Sequence, residues 1–316
     1  MSRDILGSVV RHVEKSNQSD FRDLVGLLSY LYPSFDANEG NYPNIEEFFA
    51  QISMALEFNS ETYIHSKYWP PERVKKAEAA LKKGLSSFLW TLSGRSATSN
   101  SKWIRPVVQF CERVLQPDDV VISFNWDLTI ERANSLVNKQ FKLRYVYDER
   151  SDRKGRSVTL LKPHGSIDWF TPEQVKHVAT RGSHDFFRVG RDLYGYNSFT
   201  LRPHHHLESE IPAIISPSPF KTWTSQTSQN IWQSVYRAVR HAKSIKIIGY
   251  SLPPEDQFAR FVLRRAFRNA ASEKRRPRVQ VINPDSSILD RFERITGPTF
   301  DVRLNHKKFE DWLKVA

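Results

Sequence analysis

One cysteine, Cys111, stands in 316 residues. That excludes an intramolecular disulfide and a cysteine-built zinc knot, and it suits a reducing compartment. Cys111 falls in PVVQFCERVL, where Val107, Val108, Phe110, Cys111, Val114 and Leu115 form a helical apolar stripe, so it reads as a buried structural thiol rather than a nucleophile. No apolar run approaches the roughly 18 to 20 residues that span a bilayer, and no signal-peptide pattern opens the chain. The expectation is a soluble, cytoplasmic protein with no membrane contact. Glycine is scarce as well: there are 12, none in a Gly-x-Gly arrangement. There is no internal repeat and no low-complexity tract.

What is present can build a core. Hydrophobic residues make up 39% of the chain and aromatic ones 12%, enough for one elaborated domain or two ordinary ones and too much for disorder throughout. Lys plus Arg number 47 against 35 Asp plus Glu, a net charge of +12 and a pI near 9.7. Such a balance favours phosphates, nucleic acid or acidic partners without choosing among them.

Up to about Gln116 the periodicity is helical. NIEEFFAQISMALEF keeps Ile45, Phe48, Phe49, Ile52 and Leu56 on one side, with Asn44 as cap and Glu47 completing a capping box. After the turn LQPDD, short β-rich runs follow: 120–124, 143–147, 158–161, 211–216, 245–250 and 279–283. Helical segments join the last three, as βαβ crossovers into a mainly parallel sheet require. The expected fold is α/β, a Rossmann-like three-layer domain with a helical N-terminal part (1–117), an α/β core (118–169 and 208–316) and an irregular insertion or lid (170–207).

Open α/β sheets bind ligands beyond the carboxyl ends of their strands. Four polar signatures fall at such ends: Asn125 and Asp127, His164 and Gly165, Gly249 and Ser251, Asn283 and Asp285. Each alone could be a turn or a helix cap. Their recurrence after separate strands points to a site.

The segments SFNWDLTIER, LKPHGSIDWF, IIGYSLPPEDQFARFVLRRAF and VQVINPD together resemble the SIR2-like family, the bacterial relatives of sirtuins found in antiphage defence. The likeness runs in family order over about Asp119 to Asp285. It implies a Rossmann-like domain that consumes NAD as substrate. On that resemblance Asn125 and Asp127 match an Asn-x-Asp pair beside the nicotinamide ribose, and His164 matches the catalytic histidine of a His-Gly motif that includes Gly165. Gly249 and Ser251 match a Gly-x-Ser loop near the cofactor, and Asn283, with Asp285 beyond it, falls where the adenosine ribose is expected. Family members open with a strand and a Gly-Ala-Gly-type loop, whereas this sequence starts at MSRDILGSVVRHVEK, which reads as the helix after that loop. The expectation is therefore an N-terminally truncated chain. The zinc cysteines of deacylase sirtuins are missing too, so no zinc is expected.

The resulting expectation is an NAD glycohydrolase releasing nicotinamide and ADP-ribose in a defence setting. Two alternatives stand beside it: ADP-ribosyl transfer or deacylation on the same scaffold, and an inactive module docking a nuclease, helicase or Argonaute-like protein. Homo-oligomerisation and a defence partner are open. The cluster RPHHHLESE, with His204, His205, His206, Glu208 and Glu210, is read as a loop rather than a metal site. The run RRAFRNAASEKRRPR is read as a solvated face, with nucleic acid binding through this basic helix not favoured.

Overall fold

The computed structural model describes residues 2–57, 68–92, 101–137, 142–145, 157–179, 186–190, 192–196, 210–215 and 225–316. Two compact units divide the chain. The first comprises Met1–Arg95, Ser166–Phe187 and Tyr194–Thr222, and the second Ser96–Gly165, Arg188–Leu193 and Trp223–Ala316.

The first unit is a helical cluster with a small sheet. Its helices are α1 (Ser2–Ser16), α2 (Gln18–Leu31), α3 (Ile45–Glu57) and α4 (Pro71–Leu92). Leu6, Val9, Val10 and Val13 repeat at helical spacing and are buried on α1, as are Phe48, Phe49 and Ile52 on α3. Asn17 starts α2 by accepting from the backbone N–H of Ser19 and Asp20, and Asn44 starts α3 by accepting from that of Glu46. Against α1, α4 presents Gly84: a Cβ there would lie 2.3 Å from a Val13 methyl, so only glycine allows this approach.

Chain continuity then alternates between the units. The second unit contributes α5 (Arg105–Arg113), β1 (Val120–Ile122), α6 (Thr129–Ser135), β2 (Lys142–Tyr145) and β3 (Ser157–Leu161). Back in the first unit come β4 (Trp169–Phe170), α7 (Pro172–Ala179), β5 (Phe186–Arg188, its last residue assigned to the second unit) and β6 (Tyr194–Tyr196), with sheet order β4-β6-β5. The remainder belongs to the second unit: α8 (Gln226–His241), β7 (Ser244–Ile248), α9 (Gln257–Ser272), β8 (Arg278–Ile282), α10 (Ile288–Thr296), β9 (Val302–Asn305) and α11 (Phe309–Leu313).

In the second unit the expected parallel pairing is present, distributed over two three-stranded sheets, β1-β3-β2 and β7-β8-β9, in which every pair is parallel. Central strands carry the core. Val158, Leu160 and Leu161 of β3 and Val279, Val281 and Ile282 of β8 are buried, as a strand flanked on both sides should be. Among the described residues β1 and β7 pair on one side only, and their apolar residues are half-buried or exposed, Val120 to 43%. Cys111 is fully buried among Ile104, Val108, Leu115, Ala133 and Val158, the packing role expected of it.

Two expectations are corrected. The run 211–216 forms no strand over its described residues, only an isolated bridge at Ile214, because Pro212 interrupts it and the Ala213 backbone is spent on Ser166 and Trp169. The insertion 170–207 is not irregular throughout, since it holds α7, β5 and β6. Within the core expected to reach residue 316, β9 and α11 follow the last β-rich run read from the sequence. His204, His205, His206 and Glu208 lie outside the described residues.

Candidate functional site

His164 sits in the turn after β3, closed by the Gly165 N–H donating to the Lys162 carbonyl at 3.1 Å. Gly165 takes φ +76°, a conformation that favours glycine. His164 is 4% exposed, and its Nε2 lies 2.7 Å from Asp256 Oδ2. Asp256 is more deeply buried, and the same oxygen accepts from the Tyr250 hydroxyl at 2.8 Å. Its second oxygen, Oδ1, caps α9 by accepting from the Ala259 N–H. An ionised Asp256 requires the proton on Nε2, so proton exchange by the neutral ring falls to Nδ1.

Aromatic rings surround this pair. Phe124, just past β1, stacks face to face on Tyr250, just past β7, with centroids 4.0 Å apart and planes 4° from parallel. Phe124 also lies 5.4 Å from the His164 ring, and Trp232 of α8 meets His164 edge-on at 5.8 Å. The start of α8 is fixed by Ser225, which caps it, and by Asp192, which accepts from the Gln226 and Thr227 N–H groups. Burial would raise the Asp192 carboxyl, but the hydrogen bonds from Thr227, Ser225 and Gln226 outweigh it and hold the pKa below the usual range. The carboxyl ends of β1, β3 and β7 therefore meet at one aromatic-walled histidine.

The loop of Asn125 and Asp127 is tied to the same place by Lys162. This side chain is 1% exposed; its Nζ donates to the carbonyls of Trp126 and Asp127 and lies 3.0 Å from Glu131 Oε1, which also accepts from the Tyr145 hydroxyl. A buried ion pair is tolerable only with its lone pairs and protons satisfied. Here the loop carbonyls and Tyr145 do that. Asn125 is exposed. Asp127 is half-buried and Oδ1 accepts from the Thr129 N–H at 2.9 Å, so it acts as the turn residue that opens α6.

Beyond β7, Gly249 has φ +66° and donates its N–H to the Ile282 carbonyl. Ser251 is exposed, and the next residue, Leu252, is buried at φ +49°, a backbone strain of about 1–3 kcal/mol. Arginines hold this loop: Arg260 donates to the carbonyls of Leu252 and Pro253, and Arg291 to that of Ser251. At the end of β8, Asn283 Oδ1 accepts from the Asp285 N–H, and Asp285 Oδ1 from that of Ser287. Hydrogen bonds from the Ser287 side chain and backbone hold the exposed Asp285 carboxyl below the usual range. These bonds make Asn283 and Asp285 turn-formers as well as strand-end residues.

The structure thus joins His164 to residues not singled out from the sequence: Asp256, Tyr250, Phe124, Trp232, Lys162 and Glu131. Asp256 carried a signal, since an aspartate directly before the QFARFVL periodicity reads as a cap. Trp232, in the middle of a helix, carried none. A cavity of about 370 Å³ lined by Arg113, Lys246, Gln280, Asn305 and Trp312 contains none of this cluster. Among the described residues, no three His, Cys, Asp or Glu side chains converge as a metal site needs, and no helix is long and apolar enough to cross a membrane. No family model matches the chain, and no curated protein matches it.

Proposed function

We propose that the second unit is a Rossmann-like, SIR2-like NAD glycohydrolase of the cytoplasm, active in antiphage defence. The observation that carries this reading is the buried His164–Asp256–Tyr250 cluster at the carboxyl ends of β1, β3 and β7, the position at which open α/β sheets take nucleotides. The residue order of the resemblance supports it.

Hydrolysis breaks the bond from the ribose anomeric carbon to the nicotinamide nitrogen. The bonding pair returns to nitrogen and cancels its positive charge, and water adds to the ribose cation with loss of one proton. His164 is the acceptor of that proton: Asp256 fixes its tautomer and offsets the imidazolium that forms. Exposed Asn125 orients the ribose or the water. Asp127, with one oxygen engaged by Thr129, retains the other to offset positive charge on the sugar. Aromatic walls exclude bulk solvent and match a flat nicotinamide ring.

Nicotinamide release from labelled NAD tests the proposal. The full chain should release nicotinamide, and His164→Gln should slow release by about 10²- to 10⁴-fold. Asn125→Ala should remove most of the activity. Label retained on protein or nucleic acid would replace hydrolysis with ADP-ribosyl transfer. Equal turnover by both variants and the parent would remove His164 and Asn125 from the mechanism.

A further inference from the structure

The basic run of α9 does not stand alone. Its continuation into β8 meets the α8–β7 turn, because β7 and β8 are parallel neighbours in register, Ser244 opposite Arg278, and the Arg278 N–H donates to the Lys243 carbonyl. Arg240, Lys243, Lys274, Arg275, Arg276 and Arg278 thereby gather at the amino ends of these strands, most of them exposed. Two carboxylates stand by them: Asp301, which precedes β9 beside Arg278 and is paired with Arg303, and Glu273. Glu273 pairs with Arg240 and Arg275, and Arg240 foremost, with Arg275 and His241, holds its carboxyl below the usual range. The other acidic residues between 226 and 278, Glu255 and Asp256, lie at the opposite end of α9. Along α9, Arg264, Arg265 and Arg268 are exposed and lead toward the same pole, with Phe261 59% exposed beside them.

Concentrating like charges this way gains nothing for the fold, since self-repulsion opposes it. A solvated helix face would intersperse acids for i,i+4 pairing, and α9 contains none. We propose that this pole, opposite the His164 site along the strands, is a docking surface for the phosphate backbone of nucleic acid. Its cations are short-range neighbours on two turns and a helix, the arrangement that follows a line of phosphates rather than a single anion. The inference is independent of the NAD reading.

The test is binding of a DNA duplex of about 25 base pairs by the full chain across a salt series. Binding at about 50 mM salt should fall steeply as salt rises. Replacing Lys243, Lys274 and Arg278 with Gln should flatten the log–log slope by about 2.7, so that about 40-fold less affinity is lost between about 50 and 200 mM. Exchanging Lys and Arg at those positions should preserve the slope. Arg264→Gln with Arg265→Gln and Arg268→Gln reads the surface again without touching the turns. No duplex binding at the lowest salt, or an unchanged slope in both Gln triples, overturns the proposal. So does binding of poly-glutamate in place of DNA, which would assign the surface to an acidic protein.

Discussion

Lys162 and His164 are two residues apart and both buried, and each makes its neighbour expensive to change. Lys162→Met leaves Glu131 charged and buried with, among the described residues, only Tyr145 donating to it, so the variant should lose about 3–5 kcal/mol in a urea titration. Adding Glu131→Leu should recover most of that loss, because the pair as a whole is worth little against apolar replacements. His164 behaves similarly toward Asp256. Truncation to Ala removes one hydrogen bond from a carboxylate that is almost fully buried but keeps the Tyr250 hydroxyl and the Ala259 N–H as donors, so His164→Ala should lose about 1–3 kcal/mol in the same titration. Asp256→Asn separates positioning from chemistry. It keeps the volume and disturbs the tautomer, so nicotinamide release should fall and its pH profile should shift while the melting temperature moves little. An unchanged profile would leave Asp256 only its capping role.

Among the elements, helices and strands with strong apolar runs are legible in the sequence: Val158 to Leu161 and Val279 to Ile282 are central strands and carry the least ambiguous sequence. The short β9 was not, because VRLN alternates over four residues at a sheet edge and periodicity cannot distinguish that from a loop. Ile211 to Ser216 failed for the opposite reason: its composition suits a strand, but its described backbone bonds go elsewhere. The tight contact of α1 with α4 was also invisible, since Gly84 in a helical pattern reads only as a weak helix former. Gly84→Ala gains about 1 kcal/mol of helix propensity but drives a methyl into Val13, at about 1–3 kcal/mol. The clash should win in thermal melts, and Val13→Ala in the same chain should relieve it. His12 on α1, hydrogen-bonded to Ser87 on α4, has its pKa lowered by burial and then by Lys15. The neutral ring is favoured in the folded state, so its contribution is complete above pH 6.5 and is lost as pH falls below that value. His12→Gln should therefore lessen the decline in stability from about pH 7 to 5.

At the scale of the second unit, strand direction sorts the chemistry. Carboxyl ends carry Phe124, His164 and Tyr250; amino ends of β7 and β8 carry Lys243 and Arg278. The strand-end polar residues were legible because each follows an apolar run, whereas the cationic pole was not. Its two turns are some 30 positions apart in sequence and meet only through the β7–β8 register, so the run after α9 looked like an ordinary solvated face. This separation predicts independent functions. A protein in which Lys243, Lys274 and Arg278 are Gln should release nicotinamide at the parent rate when assayed without nucleic acid, because screened charges a strand length away add little at physiological salt. His164→Gln should bind duplex DNA with the parent's salt slope. Measuring both activities on both proteins gives four outcomes, and a loss of nicotinamide release in the Gln triple would place those cations on the NAD phosphates instead, uniting what strand polarity separates.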